Sequence, residues 1–452
     1  MTALSLANRK REDIKRRLSA LGEELDAWCK LSEPGEPFST HHSQIRRLRG
    51  QLVGFRDVIA GRLTACADPL EAGGEIQQRS LEMHRIWEFF RSKLAQRTVP
   101  WYRNFLLATD ELAWACYRPV RDLAVAAGHV PFGDVAEPPL VFLNGASSPL
   151  TFPRNRRYEA EPSLFREGIG APELQSVLSR MPVPVIGLPW FEVAHLPDAL
   201  LIGHEVGHVL EDFLNLSARL GSSLEDAFAK IPLERRQAYR AWCGEIFGDL
   251  TGTLATGPAF LDAMVHYLAQ GKTFIQAEAQ AAPFAIYPTR SLRVALCLVL
   301  LARMGFAADA ARLRDAWRET YGDEHPMKDF EADLPAVVDA LVGTPFPELG
   351  KKSLVDALAF SSTQHENASR EASKILAGLQ LQSADVRALF AAAGLAYGKN
   401  PKSYDENEGD DAVLGRILAV RSDLVRSDEE MRDLDAYDAA QAARLWERLA
   451  GP

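Results

Sequence analysis

The sequence predicts a mainly α protein of the α+β class, with a small β-sheet in the centre and helical regions on both sides. Three observations carry this expectation. Apolar residues recur at three- and four-residue spacing through most of the chain, which gathers them on single helix faces. Two short runs, 139–144 and 182–188, contain β-branched residues and are bounded by Pro or Gly, as strands are. Breaks rich in Pro and Gly at 131–139 and 344–352 divide the chain into a helical region at 1–130, a central domain at 131–345 and a helical region at 346–452.

In the first region, Ile14, Leu18, Leu21, Leu25 and Trp28 define one helix face, and SEPGEP at 32–37 ends that helix. Leu48, Leu52, Phe55, Ile59 and Leu63 define a second. Trp87, Phe89, Phe90, Trp101, Phe105 and Trp114 read as core aromatics, and the mixed charges of Arg9–Arg17 as a solvated face. The two strands follow, then helices at about 197–215, 233–256 and 258–270. The last hundred residues are Ala/Leu-rich helix, interrupted by DENEGDD at 405–411. An EF-hand needs Gly at its sixth position and Asp410 stands there, so this stretch reads as a solvated loop.

Composition excludes several classes. Hydrophobic residues are 47% of the 452, enough apolar surface to rule out disorder as the main state. The formal charge is −10 (51 Lys+Arg against 61 Asp+Glu), which argues against a nucleic-acid partner. The most apolar stretch, Val294–Ala302, ends at Arg303, short of the roughly 20 residues a membrane span needs. The N-terminus lacks the apolar run of a secretory signal. Five scattered cysteines without a CxxC pair fit a reducing cytoplasm.

The chemistry-bearing segment is LIGHEVGHVLEDF, Leu201–Phe213, with His204-Glu205-Val206-Gly207-His208 in HExxH spacing. Residues four apart on a helix differ by only about 40°, so both imidazoles can hold one Zn²⁺ while Glu205 reaches a water on the metal. Gly203 and Gly207 each cost a helix about 1 kcal/mol relative to Ala, which implies that another backbone or a substrate comes close there. A catalytic zinc needs a third protein ligand. The metzincin continuation is absent, since Glu211 and Leu214 stand where Gly and His belong. Glu245 and Asp249 share a face of the next long helix. One of them can ligate the metal while the other fixes a ligand histidine's tautomer.

HExxH followed on a later helix by ExxxD resembles the gluzincin metallopeptidases. The resemblance implies a zincin-like core, His204, His208 and Glu245 as Zn²⁺ ligands, Glu205 as general base, and Asp249 as the carboxylate behind a ligand histidine. Tyr287-Pro288 with Arg293 resembles the HPxxxxR element of HtpX-like metallopeptidases, whose His and Arg flank the substrate; here Tyr287 replaces the His. It adds Tyr287, as oxyanion donor, and Arg293 to the expected catalytic set.

The expected function is therefore zinc-dependent hydrolysis of peptide bonds in a peptide or protein substrate. Strand 183–188 is expected at the edge of the sheet, where an extended substrate would pair with it. The alternative is a quiet or latent zincin-like module whose helical regions hold a regulatory protein partner. His195 and His266 are further candidates for the cleft, His41-His42 has no companion cluster, and Cys243 reads as a buried thiol. No GxSxG, GxxxxGK[ST] or post-strand GxGxxG motif occurs.

Overall fold

The computed structural model describes residues 5–71, 73–130, 136–152, 177–178, 180–227, 231–281, 287–322, 328–421, 434–438, 441 and 444. It is mainly helical with one three-stranded sheet, as the sequence predicts. The first helices are α1 (Leu6–Lys30), α2 (His42–Ala65), α3 (Gly73–Ala95) and α4 (Pro100–Ala126). Ser5 caps α1, its hydroxyl accepting from the Asn8 N–H, and Pro100 opens α4 at a position where no N–H is needed. Ile14, Leu18, Leu21 and Leu25 of α1 meet Leu48, Leu52, Phe55, Ile59 and Leu63 of α2 and Trp87 and Phe90 of α3 in one core. Each fully buried Leu or Phe there contributes about 1.5–3 kcal/mol. Trp101 is the exception among the expected core aromatics. It sits in the first turn of α4, 60% exposed, against Tyr102.

The sheet separates two cores. Its strands are β1 (Leu140–Asn144), β2 (Leu150–Phe152) and β3 (Val185–Pro189), in the order β1-β3-β2, with β3 parallel to β1 and antiparallel to β2. Leu140, Phe142 and Val185 face the first core, whereas Val141, Leu143, Ile186 and Leu188 face a second. Burial on both sides explains why these strands read as continuous apolar runs and not as alternating ones. Gly187 is required: a Cβ there would lie 2.4 Å from the Asn144 side chain and 2.9 Å from Phe142. The outer edge of β1 is closed by side chains. Gln96 bonds both the N–H and the carbonyl of Leu143, and Asp110 and Arg97 bond those of Val141. Strand 183–188 is thus central, not an edge; the other edge belongs to β2, a three-residue strand too short to announce itself by periodicity.

A 3₁₀ segment, Leu196–Leu201, leads into α5 (Ile202–Phe213), so Pro197 opens this segment and not the α-helix. Then come α6 (Ser217–Ala227), α7 (Leu233–Ala241), α8 (Cys243–Thr256), α9 (Pro258–Leu268), α10 (Lys272–Ala281), α11 (Arg290–Arg303) and α12 (Ala307–Tyr321). The expected single helix at 233–256 is broken at Trp242, whose buried indole packs against Tyr239 and Phe330. Gly257 takes φ +61° between α8 and α9, and Pro258 starts the next helix. The last helices are α13 (Ser362–Leu376), α14 (Val386–Lys399), α15 (Pro401–Glu406) and α16 (Gly409–Val420).

Residues 405–411 interrupt the helices as expected, and Asp405, Glu406, Glu408 and Asp411 are exposed; they form the end of α15, a short turn and the start of α16. The Asp410 carboxylate accepts from the Tyr404 hydroxyl (2.5 Å) and the Leu196 N–H (3.2 Å), which ties α16 to the segment before α5. Arg387 of α14 reaches the carbonyl of Leu358, and the Phe360 N–H that of Leu254 in α8. The central and C-terminal helices, together with α4, share one hydrophobic core. Among the described residues no helix is long and apolar enough to cross a membrane.

Candidate metal centre

The site is built where α5 crosses α8. Gly203 and Gly207 face Gly252 and Gly248. A Cβ on Gly207 would lie 2.7 Å from the Cα of Gly248, and one on Gly203 2.9 Å from the Cα of Gly252. The close approach expected of these glycines is thus made by the α8 backbone. Gly248 has a further role: its missing side chain leaves room for the His204 ring, whose Cε1 is 2.7 Å from where a Cβ would be.

Backbone contact brings the predicted ligands together. His204 Nε2 and His208 Nε2 are 3.1 Å apart, and Glu245 carboxylate oxygens lie 3.7 and 3.6 Å from them respectively. Tetrahedral Zn²⁺ with ligand bonds of about 2.1 Å separates neighbouring donors by roughly 3.4 Å. The three residues fit that spacing, and two imidazoles with one carboxylate are donors that suit zinc. Among the described residues no other group of His, Cys, Asp and Glu converges in this way.

Behind the ligands, Asp249 is fully buried and makes two attachments. Its Oδ1 is 2.8 Å from His204 Nδ1, which directs Nε2 toward the metal position. Arg293 of α11 grips it through Nε (2.7 Å) and Nη2 (2.6 Å). Burial alone would raise the Asp249 pKa, but the Arg293 charge and the hydrogen bonds from Arg293 and His204 hold it down to about 2. Arg293 is correspondingly fixed in its charged form, because Asp249 outweighs the cost of its burial. Its Nη2 is 3.9 Å from Glu245.

These groups border a cleft of about 850 Å³. Glu205 lines it and is itself 6% exposed; burial raises its pKa against the pull of His204 and Thr151. On the rim, Tyr287 is 61% exposed. Tyr267 of α9, which sequence reasoning missed, also lines the cleft. Burial raises the pKa of its hydroxyl, and the Arg293 charge opposes this. Arg290 stacks on Phe274, 4.9 Å from the ring centroid, and pairs with Glu278.

The other candidates lie elsewhere. His195 pairs with Asp198 at 3.0 Å and packs on Tyr397, and His266 is exposed on α9; neither lines the cleft. His41 is buried against Gln44 and His42 meets Ser32, both at the start of α2. Cys243 is buried at the start of α8. Comparison of the chain with family models, curated proteins and solved structures found no match.

Proposed function

We propose that the chain is a zinc-dependent metallopeptidase that hydrolyses bonds in a peptide or protein substrate lying in this cleft. The observation that carries the reading is the convergence of His204, His208 and Glu245 at zinc-ligand spacing with Glu205 beside them on the cleft. His204, His208 and Glu245 would hold Zn²⁺ there, which would supply a Lewis acid and lower the pKa of water at the site to about 7. Glu205 takes a proton from the attacking water and returns it to the leaving nitrogen. Asp249 orients His204, and Arg293 holds Asp249 in place and charged. Tyr267 and Tyr287 both line the cleft and are hydroxyl donors available to the developing oxyanion.

The test is Glu205→Gln in the full chain. Wild type is expected to carry one zinc per chain and to cleave unfolded casein; the variant keeps the zinc and loses the cleavage. A Gln variant that cleaves as wild type does overturns the mechanism. Zinc at one equivalent with no cleavage by wild type under any condition favours the alternative, a zinc-holding module whose helices bind a partner protein.

A further inference from the structure

We infer that Thr151 is a positioning residue for Glu205, an inference that rests on the peptidase reading. The sheet's alternation aims it. Leu150 and Phe152 of β2 pack on the first core, Phe152 edge-on to Phe89 at 5.5 Å, so Thr151 between them points to the opposite face, toward α5. There its hydroxyl meets Glu205 twice, at 2.5 Å from Oε2 and 3.1 Å from the backbone carbonyl. A hydroxyl has one proton to give. The 2.5 Å contact has the length of a charge-assisted O–H···O⁻ bond, so the carboxylate receives it.

This bond has a consequence for the reaction. The terminal torsion of a Glu side chain is broad and roughly two-fold, so packing alone does not choose which oxygen faces the water. Thr151 engages Oε2 and leaves Oε1 to accept the proton. The pairing of Leu150 with Gly187 and Thr151 with Ile186 fixes where β2 carries that hydroxyl. The general base on α5 is thus aligned by the strand that, among the described residues, lies at the edge of the sheet beside the cleft. Proton transfer is sensitive to such alignment: a misplacement of about 1 Å can cost on the order of 100-fold.

The experiment compares Thr151→Val and Thr151→Ser with wild type in steady-state cleavage of a fluorogenic peptide, with zinc content and Tm measured on each. Valine keeps the β-branched shape and removes the hydroxyl. It is expected to lower kcat by about 10- to 100-fold, as loss of a group supporting a metal-site residue does, with KM and zinc content unchanged and Tm lowered slightly by the lost hydrogen bond. Serine restores the hydroxyl and most of kcat. Thr151→Ala carries the same test should the valine variant not fold. The inference is overturned by a valine variant with wild-type kcat, by a loss confined to KM or accompanied by loss of zinc, or by serine failing to rescue. An inactive wild type overturns the peptidase reading and this inference together, whereas an active wild type with an equally active valine variant overturns this inference alone.

Discussion

Gly207→Ala tests whether helix contact sets the metal geometry. The new Cβ would lie 2.7 Å from the Cα of Gly248 and 3.1 Å from Cβ and Oγ1 of Thr251. Carbon atoms rest about 3.5–4.0 Å apart, and a backbone Cα cannot swing aside as a side-chain tip can. The two helices must therefore part by roughly 1 Å. Glu245, on α8, now lies 3.7 and 3.6 Å from the histidine nitrogens on α5. Parting the helices takes those distances well beyond the roughly 3.4 Å that tetrahedral zinc spans. The overpacking costs about 1–3 kcal/mol, and the better helix propensity of Ala returns about 1 kcal/mol. Gly415→Ala is the control: this exposed glycine inside α16 has nothing within 4 Å of its Cβ position, so the propensity gain stands alone. Urea denaturation should separate the two variants by about 1–3 kcal/mol, and a chelator competition should show zinc binding at least about tenfold weaker in Gly207→Ala alone. A Gly207→Ala protein as stabilised as Gly415→Ala, with wild-type zinc affinity, would refute the reasoning.

Two further predictions concern buried charge. Asp249→Asn keeps the shape but removes the charge that pairs with Arg293 and turns one of the two acceptor oxygens facing His204 and Arg293 into a donor; we expect a loss of about 3 kcal/mol in urea melts and about 10- to 100-fold weaker zinc in competition assays. Unchanged values would show that the Asp249 charge is dispensable. His41 is enclosed by Gln44, by Asp110 and Glu111 of α4 and by Arg97, and it feels Arg421; burial, aided by the Arg97 charge, lowers its pKa to about 4. Between about pH 6.5 and 4 the unfolded chain binds a proton at His41 that the folded chain does not, so stability falls as pH falls through that window. His41→Gln should remove about 2 kcal/mol of the stability loss between pH 7 and pH 4.5 in paired urea melts, and identical losses in the two proteins would refute it.

What the sequence disclosed and what it withheld differ in range. Helices were legible because their evidence lies within a few residues: Leu48 to Leu63 repeats at the period of one turn, and every one of those side chains is buried in α2. The pairing of His204 with His208 is equally local. Thr151 was invisible because its partner is 54 positions away and its strand has three residues; only the register with β3 aims its hydroxyl at Glu205. The central position of β3 depends on the same short strand. Trp101 and Trp114 look alike in sequence, yet which aromatic of α4 faces the core is decided by helices that arrive later in the chain. DENEGDD reads as solvated because its charges are dense, and most of it is exposed; only the tether of Asp410 is hidden, because its partner is a backbone N–H more than 200 residues earlier.

The crossing of α5 and α8 lies between these extremes, and it shows what a ligand motif omits. HExxH and ExxxD specify donors on two helices but say nothing of the distance between the helices. That distance is written in a second pattern, Gly203 and Gly207 on one helix and Gly248 and Gly252 on the other, each pair four apart and so on one face. The half of this pattern beside the histidines prompts the expectation of a close approach; the half beside the carboxylates was in plain view but is meaningful only once the helices are known to touch. With side chains at these positions, the same five chemical groups would sit on helices held too far apart for one ion. The glycines are therefore as much a part of the candidate centre as its ligands, and a chain that kept His204, His208 and Glu245 but filled Gly207 or Gly248 would carry the motif without the geometry.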